Sequence, residues 1–176
     1  MGTGIIVCGL NGCGKSTLGK ALAQKLGFYF IDIEDMYFTL TSTDTPYANP
    51  RSRAEVEKLL QDEVRKQDHF VFSAIKGDYG DELQKYYRIA VVIEVPKEIR
   101  TQRVRNRSFQ KFGSRMLAGG DLYQAEEQFF ELAESRTEDF YVQWLQSLQC
   151  PILRVDGTRP IEENVHFIVN QIHIHL

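Results

Sequence analysis

Eight residues near the start of the chain, Gly9-Leu10-Asn11-Gly12-Cys13-Gly14-Lys15-Ser16, satisfy every fixed position of the pattern G-x-x-x-x-G-K-[ST], and Thr17 continues it. The chemistry of these residue types at this spacing is phosphate binding. Gly9, Gly12 and Gly14 permit backbone paths that side chains would obstruct, so successive N–H groups, those of Asn11 and Cys13 among them, can converge on an anion. A helix starting here adds the positive end of its dipole, Lys15 adds a full charge, and the Ser16 hydroxyl can reach a magnesium ion. The expected ligand is ATP with Mg2+. The alternative, a glycine-rich turn with a solvated Lys15, leaves unexplained why the motif stands between a strand pattern and a helical one.

Other residues able to do chemistry follow two further apolar runs. Asp32 closes Phe28-Tyr29-Phe30-Ile31-Asp32, and Glu34 and Asp35 come next. A carboxylate at a strand end near a phosphate loop can accept a hydroxyl proton or orient magnesium-bound water. Asp32 and Asp35 also suit the cap of a helix starting near Met36, so capping competes with chemistry there. The run Phe70-Val71-Phe72-Ser73-Ala74 has Ser73 where a switch GTPase or motor ATPase would carry a magnesium-directed Asp, and no Asn-Lys-x-Asp run selects guanine. Lys76 and Tyr79 lie just beyond that run, placed either to meet an acceptor or to serve as loop residues. Arg51 and Arg53 open a helix, where they bind an anionic acceptor or cover the surface.

Between Lys97 and Arg115 the chain is basic, and Arg100, Arg103 and Arg107 share one helical face by spacing. A transferring phosphoryl group spreads negative charge over its oxygens, which Arg103 and Arg107 would stabilise if a closing segment brought them in. Gly113, Gly119 and Gly120 would let a lid at about 108–121 move. Arg105 points elsewhere on the helix and is assigned to the surface.

These residues need elements to position them. Gly4-Ile5-Ile6-Val7-Cys8-Gly9 reads as a strand buried on both faces, and Leu18, Leu22 and Leu26 give the next helix one apolar side, ended by Gly27. Phe28–Ile33 is a second strand, Thr39–Pro50 a polar loop, Arg51–Gln67 an amphipathic helix and Phe70–Ala74 a third strand. Gly80–Tyr87 is a short helix, Ile89–Val95 a fourth strand, and Pro96 opens a helix to about Phe112. A long helical stretch then runs from Leu122 to Leu148. Pro151–Val155 is the fifth strand, and a last helix turns Ile161, Val165, Ile168, Val169 and Ile172 inward. Strands alternating with long crossovers predict a doubly wound five-stranded parallel sheet with helices on both faces.

The 176 residues suit one domain, and the net charge of -3 gives no global reason for binding nucleic acid. No apolar run spans a bilayer and no basic leader precedes the first strand, so a cytoplasmic protein without membrane contact is expected. Cys8, Cys13 and Cys150 lack metal-ligand spacing and are expected to be free thiols.

The chain resembles the small P-loop kinases, the group that includes shikimate, gluconate and adenylate kinases. Asp32-x-Glu34 is similar to the Asp-x-Asp pair after the second strand, with Glu in place of the second Asp. Ser73-Ala74-Ile75-Lys76-Gly77-Asp78-Tyr79 is similar to the gluconate-kinase segment beginning Ser-Ala-Leu-Lys. Arg103 and Arg107 fall where such kinases carry lid arginines, and Asp156-Gly157-Thr158-Arg159-Pro160 resembles their adenine-side loop. The resemblance implies a P-loop NTPase fold of the nucleoside/shikimate-kinase-like kind. It implies an ATP-dependent phosphotransferase with Lys15, Asp32, Arg103 and Arg107 catalytic and Gly157 beside the nucleotide. The acceptor would be a hydroxylated metabolite, nucleoside or nucleotide touching Asp32, Glu34, Arg53 and Lys76. An ATP-binding regulatory protein or weak ATPase is one alternative; the other, a polynucleotide-end kinase, fits poorly with a pI near 5.8 and no extended basic stripe. Oligomeric state is left open.

Overall fold

The computed structural model describes residues 2–38 and 49–175. The polar loop expected over Thr39–Pro50 therefore falls, for residues 39–48, outside the described residues. Five strands form one all-parallel sheet: β1 (Thr3–Cys8), β2 (Tyr29–Asp32), β3 (His69–Ala74), β4 (Tyr87–Glu94) and β5 (Ile152–Asp156). Their spatial order, β2-β3-β1-β4-β5, puts β1 in the middle. The sheet reverses its winding on either side of β1, so a crevice opens at that strand's carboxyl end, where open α/β sheets bind ligands.

Alternation along the central strands divides the core. Ile6, Cys8, Phe70, Phe72, Ala90 and Val92 face one way, against α3 (Arg53–Val64) and α7 (Asp139–Ser147). Ile5, Val7, Val71, Ile89, Val91 and Ile93 face the other, against α1 (Lys15–Leu26) and α8 (Ile161–His175). Both faces are apolar because both are covered, which is why the strands read as continuous hydrophobic runs. The inward residues expected of the last helix are confirmed for Val165, Ile168 and Ile172; Ile161 is exposed.

Local signals explain most boundaries. Gly27, in the left-handed region, ends α1 with its N–H on the Ala23 carbonyl. Ser52 and Glu55 form a reciprocal capping box that starts α3 at Arg53. Two expectations need correction. The second helix, α2 (Ile33–Tyr37), begins directly after Asp32 and three residues before Met36. The long stretch from Leu122 to Leu148 is two helices, α6 (Tyr123–Ser135) and α7, separated at Arg136-Thr137-Glu138. No glycine or proline marks that break; Arg136 takes extended backbone, and the Thr137 hydroxyl faces the Asp139 carboxylate at 3.3 Å. The remaining elements are α4 (Asp81–Gln84) and α5 (Lys97–Phe112), the latter followed by a 3-10 turn at Gly113–Met116. Among the described residues, no helix is long and apolar enough to cross a membrane.

Candidate nucleotide and acceptor site

The strand–turn–helix from β1 to α1 is built as a cradle. Gly14 is the N-cap of α1 at φ 92° and makes no side-chain cap, so the first-turn amides keep no side-chain acceptor of their own. An anion at this helix end takes the place of a cap. Gly12, at φ 80°, passes under α5: a Cβ there would lie 2.3 Å from the Arg100 carbonyl oxygen. Arg100, 5% exposed, donates from Nη1 to the Asn11 carbonyl at 3.2 Å, and Arg136 donates to the Asn11 Oδ1 at 2.7 Å. Two arginines thus hold the outer bend of the loop. On its inner side the fully buried Ser73 hydroxyl donates to the Lys15 carbonyl at 3.0 Å. Ser73 fixes the start of α1, which approaches β3 closely at Gly19; a Cβ on Gly19 would meet the Ser73 Oγ at 2.2 Å.

A cavity of about 460 Å³ opens beside the loop, lined by Cys13, Gly14, Thr17, Arg103, Gly157 and Pro160 among others. Both Nη atoms of Arg103 donate to the Gly157 carbonyl at 3.1 Å, closing one wall. The Gly157 backbone lies against the phosphate loop, since a Cβ would come within 2.9 Å of the Cys13 carbonyl oxygen. Asp156 organises the loop: its Oδ1 accepts from the Thr158 N–H at 2.8 Å and the Thr158 hydroxyl at 2.6 Å. Those bonds hold the Asp156 carboxyl below the usual carboxylate range. Expected nucleotide residues from Gly9 to Thr17 are therefore brought together with Arg103 and Gly157. Arg107 is not; it is exposed one turn further along α5.

The magnesium and ATP fit what is present. The cradle rejects a Cβ at Gly12, the α1 amides lack a side-chain cap, and Ser16 stands half-buried in the first turn. Among the described residues no group of three or more His, Cys, Asp or Glu could hold a metal ion.

Asp32 sits two strands from β1: its register partner is Ser73, whose own partner is Val7. With strands about 4.8 Å apart, that puts its backbone about 10 Å from β1. Asp32 does cap α2, accepting from the Glu34 N–H at 3.0 Å, and one carboxylate oxygen remains for other work. Glu34, expected as its acidic companion, is exposed. The carboxylate that feels Asp32 is Asp35, whose pKa is raised by burial first and by the Asp32 charge second. The assignment of Asp35 to capping is corrected by the helix itself: Asp32 is the N-cap of α2, and Asp35 lies inside its first turn.

Lys76 and Arg53 meet at Asp78. Lys76 Nζ lies 2.9 Å from its Oδ2, and the Arg53 guanidinium 3.4 Å from its Oδ1 and 2.9 Å from Glu57. Arg53 also stacks 5.0 Å above Tyr79, whose hydroxyl is pushed up in pKa by burial and by its bond with Tyr37. Arg105 points away from the loop as expected, its side chain 41% exposed, and it bridges α5 and α6 by pairing with Glu127 at 3.1 Å and Glu134 at 3.4 Å, 4.4 Å over Phe130. The segment expected as a lid is folded on itself, with Arg115 paired twice to Asp121 and the Leu122 N–H on the Arg115 carbonyl.

Arg136 was not legible beforehand, because it lay inside what reads as a continuous helix. Arg100 carried a signal, the shared face with Arg103, but its target on Asn11 required the fold.

Comparison with known proteins follows this geometry. The family model described as AAA domain matches residues 5–115. The chain is 29% identical over 174 residues to the protein YqaC of Bacillus subtilis (strain 168), covering 94% of this chain and 95% of that one. Its fold is similar to that of a gluconokinase from Sinorhizobium meliloti 1021, with a TM-score of 0.55 at 18% identity over 98% of this chain and 96% of the other. A deoxyadenosine kinase from M. mycoides gives a TM-score of 0.57 at 16% identity, over 97% and 99%.

Proposed function

We propose, from the premise that this chain belongs to the AAA domain family and to its small P-loop kinase group, that it moves the γ-phosphoryl group of ATP to a hydroxyl of a small molecule. The observation that carries the reading is the cradle itself: glycine backbone, uncapped α1 and Lys15, with the cavity of about 460 Å³ alongside that Arg103 and Gly157 help to wall. The kinase fold of the structural neighbours supports transfer over a switch or motor.

In this reading the loop amides and Lys15 hold the phosphates, Ser16 reaches the metal, and Arg103 lies along the base side. Magnesium, when bound, neutralises charge on the terminal phosphates. The acceptor oxygen forms a bond to the γ-phosphorus as the bond from that phosphorus to the bridging oxygen breaks. ADP leaves with the electron pair, and the hydroxyl proton passes to Asp32. Arg107 reaches the transferring group only when the segment 108–121 closes over it. Asp32 is half-buried at the end of β2 and keeps one carboxylate oxygen beside the cap, which suits it to take the proton. The free thiols Cys8, Cys13 and Cys150 suit a reducing, cytoplasmic setting.

The test is acceptor-dependent ADP release, with magnesium and ATP, across a panel of hydroxylated metabolites, nucleosides and nucleotides. Lys15→Ala should remove most of it, by about 100-fold or more in kcat/KM. Release that no acceptor stimulates would return the chain to nucleotide binding without transfer.

A further inference from the structure

The phosphate loop contains a tight turn whose sense is set from outside the loop. The Cys13 N–H donates to the Leu10 carbonyl at 3.2 Å, which closes a four-residue turn over Leu10-Asn11-Gly12-Cys13. The third residue of a type I turn has φ of about −90°, and that of a type II turn about +80°. Gly12 has φ 80°, so this turn is of type II. The two types differ by a half-turn of the central peptide, here Asn11–Gly12, and glycine at the third position makes the type II form accessible.

That half-turn decides what an anion meets. A trans peptide points its C=O and the N–H that follows in opposite directions. The Asn11 carbonyl is turned outward to α5, so the Gly12 N–H is turned to the inner side of the bend, where it donates to no group among the described residues. With the peptide reversed, a carbonyl oxygen would face the anion in its place.

The group that holds the carbonyl outward is Arg100, in the first turn of α5. Its side chain is 5% exposed, its Nη1 donates to the Asn11 carbonyl at 3.2 Å, and it pairs with no carboxylate among the described residues. A buried cation is costly unless a dipole answers it, and here the Asn11 carbonyl does so. The same bond polarises the peptide and strengthens the Gly12 N–H as a donor on the far side. Arg136 reaches only the Asn11 side chain and leaves this peptide to Arg100.

Resting on the phosphate-binding reading of the loop, we propose that Arg100 is a positioning residue for the nucleotide. It holds the Asn11–Gly12 peptide in the type II sense from behind, so that the Gly12 N–H donates to a phosphate oxygen that Arg100 itself does not touch.

The test follows the amide protons of 15N-labelled protein during titration with MgADP. A hydrogen bond to a phosphate oxygen deshields its donor proton, so the Gly12 resonance of the wild-type protein should move downfield together with those of Gly14 and Lys15. In Arg100→Met the Gly12 shift should be lost while Gly14 and Lys15 keep theirs. The Kd for MgADP should rise by about 10- to 100-fold, the worth of one hydrogen bond to a charged group. Arg100→Lys, which still presents a cationic donor, should recover part of both effects. Loss of all three shifts together would mark a merely structural role and overturn the inference. A Gly12 shift unchanged in Arg100→Met overturns it as well and leaves nucleotide binding standing. A wild-type protein that does not bind MgADP overturns the phosphate-loop reading and this inference with it. Where Arg100→Met does not fold, the wild-type and Arg100→Lys spectra decide. A Gly12 shift reduced in Arg100→Lys sustains the inference, and one that is absent from the wild type or equal in both overturns it.

Discussion

At the scale of single residues, Asp32 caps α2, and one substitution can separate that office from the proton transfer proposed for it. Its carboxylate caps α2 through the Glu34 N–H, and Asn caps a helix as well as Asp does. Asp32→Asn should therefore leave the thermal midpoint within a degree or two, about 0.5 kcal/mol at most. If Asp32 takes the acceptor proton, the same change lowers kcat by about 100-fold or more with little change in the affinity for ATP. Wild-type turnover would leave Asp32 with the cap alone. Gly12 gives a second prediction: a methyl group at φ 80° and 2.3 Å from the Arg100 carbonyl oxygen forces the loop off α5. Gly12→Ala should weaken ATP binding by at least about tenfold and destabilise the fold by about 1–3 kcal/mol, read by titration and by urea unfolding. The motif made Gly12 legible in the sequence, but its reason was not. That reason is a carbonyl 88 positions away in α5, brought there only when β4 and β1 pair.

At the scale of elements, the sheet was legible because the central strands β1, β3 and β4 are apolar on both faces and each crossover is long. Boundaries were legible where a residue marks them, as Gly27 and Ser52 do, and not where the chain turns without one. The α6–α7 break is of that second kind, and the site suffered with it, since Arg136 sits in the break. The loop after β5 supplies the element-scale prediction. Asp156 bonds the Thr158 N–H and hydroxyl, and these bonds depress its pKa. For a depressed acid, the stabilising contribution is present above the unfolded-state pKa near 3.9 and is lost as pH falls through the lower folded value. The ionised form must therefore be what shapes the wall beside Gly157. Asp156→Asn should flatten the fall of thermal midpoint with acid below about pH 4. At neutral pH it should raise the KM for ATP several-fold, because the Gly157 carbonyl that Arg103 holds loses its fixed position. An unchanged acid limb would mean that Asp156 contributes equally to folded and unfolded chains.

At the scale of the whole molecule, the two faces of the sheet carry different duties. In the proposed reading the α1 and α8 face supports the nucleotide side, with Leu18 reaching the cavity wall, and the α3 and α7 face supports the acceptor side. Ligand binding at the crevice between them should therefore stabilise the fold as one unit. A ligand that binds only the folded chain adds about 2.7 kcal/mol at a hundredfold excess over its Kd. For a domain of this size that raises the thermal midpoint by roughly 5–10 °C. MgATP should produce a shift of this order, and EDTA should reduce it, because Ser16 and the metal contribute only together. Lys15→Ala should abolish most of the shift while leaving the midpoint of the free protein near that of the wild type, since Lys15 stands at a half-buried helix start and its backbone carbonyl, not its ammonium, makes the bond to Ser73. A full shift in Lys15→Ala would show the nucleotide held by something other than the phosphate loop. A lowered midpoint without ligand would show that the lysine charge also stabilises the free loop. The two readings come from the same melting curves, so one experiment separates what the loop does for the ligand from what it does for the fold.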